Sequence, residues 1–382
     1  MISVSSSRAD VGILAPVWAA LALSDDAELH LFLTGMHQAT AAPAVDGVPD
    51  AATVHRGGAD LGGMTGREAA DAMASIARAA GELYGRVNPD VVLMTGDRLD
   101  MLPAAVASLP FNIPLVHLHG GEVTEGAVDD RIRHALTKLA HMHCVSSECA
   151  RARLLAMGED AGRVVVTGAP GLDTLRTAPQ LSAGDFAREA GLDAIAGNLA
   201  SLRLVTVHPE TNAADPLAPL AAVLAALDRR PAPTLLTAPN SDPGGDAVRR
   251  RIEAFVVGRP WAGFAGNLGS RLYPNALRHA ALMLGNSSSG IIEAGLFGLP
   301  VINVGERQAG RERGANVTDV PNDADAVTAA LDRLGPTPVR AKPGTPYGAG
   351  GAGPKVADVL LTLPARPALL AKPVLRRNGA DA

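Results

Sequence analysis

Short apolar runs alternate with amphipathic stretches along almost the whole chain. In the first half, residues 1–4, 29–33, 91–94, 113–116, 143–145 and 164–166 read as strands. Helical patterns fill several of the gaps, over 11–23, 67–86, 99–108, 129–142 and 149–157. Ile132, Ala135, Leu136 and Leu139 recur at the i, i+3, i+4, i+7 spacing that lines one face of a helix. A less regular stretch, 177–200, reads as a link between two halves. A second series then runs through a strand at 202–207, a helix at 216–227, a strand at 234–237, a helix at 246–256 and a strand at 280–284. Such alternation predicts α/β architecture with parallel, doubly wound sheets.

Length agrees with two halves, because 382 residues exceed one typical α/β core. The expected division is an N-terminal Rossmann-like domain over 1–178, a C-terminal one over 179–363, and a mobile Pro-, Ala- and Arg-rich tail over 364–382. Hydrophobic residues make up 47% and aromatics only 3%, which suits a close-packed interior and argues against disorder. The net charge of −5, without a long basic run, argues against nucleic acid as a partner. Cys144 and Cys149 match neither a zinc spacing nor a disulfide framework, which fits a reducing compartment. No apolar run reaches membrane-spanning length, so the expectation is a cytoplasmic protein without a membrane partner.

Chemistry concentrates where strands end. The strand at 280–284 runs into Gly285, Asn286, Ser287, Ser288, Ser289 and Gly290, followed by a helix expected over 291–297 and a strand at 301–304. A small-residue turn opening a helix gathers free backbone N–H groups and a partial positive charge, which suits phosphate oxygens. Glu293, one turn in, is placed to grip a ribose diol; an ordinary serine-rich cap is the simpler alternative. Ser5, Ser6 and Ser7 form a second such turn, with Arg8 placed for a phosphate or for pairing with Asp10. Asp97 follows the strand at 91–94, where it could act chemically or as a helix cap. The loop 117–130 holds His117, His119, Glu122, Glu125, Asp129 and Asp130, and the last two also favour a helix N-terminus. His208 closes the strand at 202–207, and Arg307, Arg311 and Arg313 crowd the segment after 301–304, where they could offset a diphosphate.

His117 and His119 would share one face of a strand, yet neither an HExxH nor a His-plus-Cys arrangement accompanies them, so no metal is expected. The Walker and GxSxG loops are missing as well, and no GxGxxG follows the first strand. Phosphate recognition without those loops, beside carboxylates and a histidine, points to nucleotide-sugar chemistry.

The blocks SRADVGILAPV, TGMH, TGDRLDML, HLHGGEVTEGAVDDRIRHALTKLAHMH, TGAPGLD, HPET, PNSDPGG, GNSSSGIIEAGLFGLPVIN and GERQAGRERG occur in family order. The chain resembles the hydrolysing UDP-N-acetylglucosamine 2-epimerases of bacterial sialic- and legionaminic-acid pathways, over roughly residues 3–340. The resemblance implies a glycosyltransferase-B type fold with UDP-sugar in a central cleft between two Rossmann-like domains, a homodimer, and a reaction that needs no cofactor. In that reaction UDP leaves by elimination and water adds to the resulting glycal, giving N-acetylmannosamine. It further implies catalytic roles for Asp97, Asp129 and His208, with Glu122 or His119 in a further carboxylate position. UDP-sugar contacts are implied at Arg8, Asn240, Ser287, Ser288, Ser289, Gly290, Glu293, Arg307 and Arg311. The chain departs from the family pattern at His119, Asp100 and Val11. UDP-N,N'-diacetylbacillosamine is the rival substrate, and a glycosyltransferase, a non-hydrolysing epimerase or a UDP-sugar sensor are rival functions.

Overall fold

The computed structural model describes residues 1–38, 45, 47–61, 65–123, 128–192, 196–210, 213–239 and 244–372. It divides into two compact units, one of residues up to 123, 128–174 and 350–372, the other Leu175–Ala349.

The first unit is built on seven strands: β1 (Ile2–Ser5), β2 (His30–Leu33), β3 (Thr53–Arg56), β4 (Val92–Thr95), β5 (Leu115–Leu118), β6 (Met142–Val145) and β7 (Val164–Val166). All pair in parallel, in the order β3-β2-β1-β4-β5-β6-β7. The second unit holds β8 (Arg203–Thr206), β9 (Thr234–Thr237), β10 (Ala262–Ala265), β11 (Leu282–Gly285), β12 (Val301–Val304) and β13 (Val317–Val320). Their order, β10-β9-β8-β11-β12-β13, is again all parallel. Both sheets therefore have the doubly wound arrangement, as expected. In each the strand order reverses beside the first strand, between β1 and β4 and between β8 and β11, where such sheets bind ligands.

Central strands are buried on both faces, which is why they stand out as continuous apolar runs. β1, β4, β5, β8, β9, β11 and β12 are buried at every position. The three strands that the apolar pattern does not reveal, β3, β10 and β13, all lie at sheet edges. Thr53, Val54 and Arg56 of β3 are exposed, and β10 is only half-buried throughout, so neither keeps an apolar run. Helices at Ala183–Glu189, Gly269–His279, Ala324–Leu334 and Ala352–Leu361 likewise lie outside the sequence expectation. The helix expected over 129–142 stops at Leu139, because Met142 already begins β6. Among the described residues no helix is long and apolar enough to cross a membrane.

Chain division differs from the expected 1–178, 179–363 and 364–382. The boundary falls after Thr174, and residues 350–372 return to the first unit. The helix Ala352–Leu361 packs Val356, Ala357 and Leu360 against the core that holds Leu14, Val17, Trp18 and Leu21 of the helix Arg8–Leu21. Each such buried aliphatic side chain contributes roughly 1.5–3 kcal/mol. Asp173 joins the return from the other side, its carboxylate accepting from the backbone of Gly351, Ala352 (3.2 Å) and Gly353 (2.7 Å). The expected mobile tail is also revised over 364–372, where Leu369 is buried and Lys372 is bonded to Glu159; residues 373–382 lie outside the described residues.

The close contact has a specific requirement. A Cβ on Gly353 would lie 2.7 Å from the backbone of Pro16. Gly353→Ala should therefore destabilise the protein by about 1–3 kcal/mol, an overpacking cost. Urea unfolding should show a lower midpoint with an unchanged slope.

Candidate active site

In the first unit the polar residues gather at the carboxyl ends of β1, β4 and β5. Ser7 caps the helix Arg8–Leu21, and Asp10 returns the bond: its carboxylate accepts from the backbone N–H groups of Ser6 (2.7 Å) and Ser7 (2.8 Å). Asp10 is thus occupied by the serine turn rather than by Arg8, whose side chain is exposed. Arg98 Nε donates to Ser6 Oγ (3.1 Å), which ties the end of β4 to the end of β1.

Arg133, on the helix Val128–Leu139, is the organising group. Its side chain is only 3% exposed and makes ion pairs with Asp97 and Asp130, and Nη1 also donates to the carbonyl of Glu122 (2.7 Å). A desolvated cation costs several kcal/mol unless carboxylates and carbonyls surround it. One side chain thereby fixes the end of β4, the loop after β5 and the start of the helix. Asp129 is half-buried, and burial first, then the neighbouring Asp97 carboxylate, raises its carboxyl above the ordinary range. A carboxyl that holds its proton more firmly than usual is suited to carrying one.

Glu122 and His119, the two candidates for one carboxylate position, are hydrogen-bonded to each other. The imidazole Nδ1–H donates to Glu122 Oε1 (2.6 Å), and Ser146 Oγ donates to the same oxygen (2.7 Å). His119 has φ +67°, a left-handed backbone that is uncommon outside glycine. Its Nε2 is buried without a hydrogen-bond partner among the described residues. Strain and an unmatched polar atom at one residue are tolerated mainly at functional positions. His117, which could have shared a metal with His119, instead donates from Nε2 to the carbonyl of Gly96 (2.8 Å).

The second unit contains a pocket of about 280 Å³ at its reversal point, reached by the ends of β8, β9 and β11. His208, Tyr273, Ser287, Ser289 and Glu293 line it. Gly285 has φ +137°, and a Cβ there would run into the carbonyl of Thr206, so the turn out of β11 requires glycine. The helix begins earlier than expected: it spans Ser288–Ile292, Ser287 caps it, and a 3-10 turn, Ala294–Phe297, follows. Ser289 Oγ bonds both the Glu293 carboxyl and the Tyr273 hydroxyl. Burial raises the Glu293 carboxyl, partly offset by that serine.

Other expected contacts spread around this pocket. Asn286 fixes His208 by accepting from its backbone N–H (2.7 Å) and donating to its carbonyl (2.9 Å). Ser288 is half-exposed at the first helical position, and Gly290 is buried against Val301. Arg307 Nη1 donates to the carbonyl of Asn286 (3.4 Å), so it stands beside the serine turn. Arg311 follows in the same loop and is half-buried, while Arg313 pairs with Asp319 (3.2 Å). Asn240 lies outside the described residues. Sequence reasoning overlooked Tyr273, whose helix is masked by Pro274, and Arg133, which sits inside the quoted HGGE block without an assigned role. A larger hollow of about 640 Å³ beside Met142 and Leu369 opens at the amino end of β6, whereas Asp97 and Glu122 follow the carboxyl ends of β4 and β5.

The family model for UDP-N-acetylglucosamine 2-epimerase matches residues 19–361. A UDP-N,N'-diacetylbacillosamine 2-epimerase (hydrolyzing) from Legionella pneumophila is 35% identical, over 97% of this chain and 98% of that one. A UDP-N-acetylglucosamine 2-epimerase from Neisseria meningitidis is 30% identical, over 83% and 82%. The crystal structure of UDP-GlcNAc 2-epimerase from Neisseria meningitidis bound to UDP-GlcNAc superposes with a TM-score of 0.73 at 17% identity, covering 95% of this chain and 99% of that one, and so shares the fold. With a family match over most of its length, this chain belongs to the UDP-N-acetylglucosamine 2-epimerase family.

Proposed function

We propose that the enzyme is a hydrolysing 2-epimerase of a UDP-linked 2-acetamido sugar. The observation that carries this reading is Asp97, paired with a buried arginine, beside Asp129, whose carboxyl burial raises, in a chain of this family. The C2 proton is weakly acidic, so departure of the diphosphate leads. The C1–O bond breaks with its electron pair going to UDP, and the positive charge that develops on the sugar is steadied by Asp97. Asp129 exchanges the C2 proton as a double bond forms between C1 and C2. Water then adds its oxygen to C1 while a proton returns to C2 from the opposite face, and the free 2-epimer and UDP result. Glu122 and His119 assist as a hydrogen-bonded pair.

The second unit holds the nucleotide. Ser287, Ser288, Ser289, Gly290, Arg307 and Arg311 receive the diphosphate, Glu293 the ribose, and His208 supports the leaving phosphate; Arg8 and Asn240 complete the contacts. The Legionella relative supports UDP-N,N'-diacetylbacillosamine as the substrate, because that similarity runs over nearly the whole chain at 35% identity. The Neisseria relative keeps UDP-N-acetylglucosamine as a second reading.

Incubation with each UDP-sugar in D2O should release UDP and a free 2-epimer carrying deuterium at C2. Retention of the original C2 proton would fit a glycosyltransferase instead, and an epimer still attached to UDP would fit the non-hydrolysing reaction. Asp97→Asn and His208→Gln should lower turnover by at least ~100-fold, the scale of acid–base groups, with little change in UDP affinity. Ser289→Ala should do the reverse, weakening UDP binding about 10-fold or more by leaving Tyr273 and Glu293 unmatched; equilibrium binding of UDP measures it.

The Asp129 carboxyl also predicts a stability effect. Its proton is held more firmly in the folded than in the unfolded chain, so its charged form destabilises the fold at neutral pH. Asp129→Asn should therefore raise the urea midpoint at pH 7 while abolishing turnover. That gain should shrink as the pH falls through the raised carboxyl range, where the wild-type side chain takes up its proton.

A further inference from the structure

The helix Val128–Leu139 carries Asp129, Asp130 and Arg133 near its start, and its far end meets the returning chain. Lys372 Nζ donates to the carbonyls of Ala140 (2.6 Å), Thr137 (3.3 Å) and Lys138 (3.4 Å), and it pairs with Glu159 (2.6 Å). Carbonyls at a helix C-terminus lack intrahelical partners and carry the negative end of the dipole, so a cation there is favourable. The Glu159 side chain is fully buried and also accepts from Lys138 (2.8 Å) and His143 (3.1 Å). Burial alone would raise its carboxyl, but these three donors bring it down to about 2. Arg163 holds the same segment through the carbonyls of Leu369 (2.6 Å) and Ala368 (3.0 Å).

A second connection runs from that helix to the end of β4. His117 is buried and its pKa falls to about 3, so the ring is neutral. Because Nε2 donates to the carbonyl of Gly96, Nδ1 is the acceptor, and Thr137 Oγ1 approaches it at 3.4 Å. Gly96 immediately precedes Asp97. The helix thus touches the Asp97 turn twice, through Arg133 at the carboxylate and through Thr137 and His117 at the peptide before it.

We propose that Lys372 is a positioning residue, which anchors the far end of this helix and so sets the place of Asp129 and Arg133 relative to Asp97. A 12-residue helix is about 18 Å long and moves as a rod, so loosening one end displaces the other. The catalytic part of this inference rests on the function proposed above.

The test is Lys372→Met, which keeps the stem and removes the ammonium group. It should lower kcat about 10-fold while UDP affinity changes less than about 2-fold, because small misplacements of reacting groups are costly. Lys372→Arg should recover most of the loss. Amide exchange should quicken over 128–139 and 95–98 but not in β8–β13. Unchanged kcat and exchange in Lys372→Met would overturn the proposal. So would a joint loss of kcat, UDP affinity and protection across both units, the mark of a general stabiliser. Should Lys372→Met not fold, Thr137→Val cuts only the link to His117 and should give the same split between kcat and UDP affinity. If the unaltered protein consumes no UDP-sugar, the functional reading fails, and the exchange rates still decide whether Lys372 anchors the helix.

Discussion

A guanidinium sealed from water has to be met on every side by oxygen. Arg133 imposes that condition on the first unit, and the Asp97 turn, the Glu122 loop and the start of the helix Val128–Leu139 are arranged to satisfy it. Removing any one partner would leave charge stranded in a medium that cannot solvate it. The geometry of the acids is therefore set by a cation that need not touch substrate. The same arrangement explains why two carboxylates sit near one another: Arg133 pairs with Asp97 and Asp130, while burial and the Asp97 charge make Asp129 hold its proton more firmly than usual.

The two sheets solve a common problem twice. Each reverses its strand order beside its first strand, which opens a place at the carboxyl ends where side chains can converge without breaking backbone pairing. The units then use it differently. The first fills it with charge, and the second with hydroxyls around a buried carboxyl, in the Ser289, Tyr273 and Glu293 cluster.

Much of this was readable along the chain, for reasons that also mark the limit. Strands buried on both faces leave uninterrupted apolar runs, so the central strands of each sheet were evident. β3, β10 and β13 pair on one side only, and selection for burial there is weak, so Val54 or Phe264 is not enough to reveal them. The catalytic candidates stood out because carboxylates directly after a strand are chemically conspicuous. Arg133 did not, since a helical arginine near acidic residues looks like any solvated pair until its burial is known. The partnership of His119 with Glu122 was equally hidden, because three residues of separation say nothing of a left-handed backbone turning one side chain onto the other. The tail was misread for its composition: prolines and arginines suggested disorder, whereas Arg366 and Lys372 spend their donors on backbone carbonyls.

The return of residues 350–372 to the first unit also orders events at the ribosome. Residues 1–174 emerge early, yet the segment that covers Trp18 and clasps the acidic helix follows only after Leu175–Ala349, a further 175 residues (349 − 175 + 1), has been made. At ~5–20 residues per second that interval is about 9–35 s, during which the nascent first unit exposes an apolar face awaiting its cover. A chain interrupted in that window would carry Asp97, Glu122, Asp129 and Asp130 without the brace that aligns them, so synthesis must pass through the second unit before the first is finished.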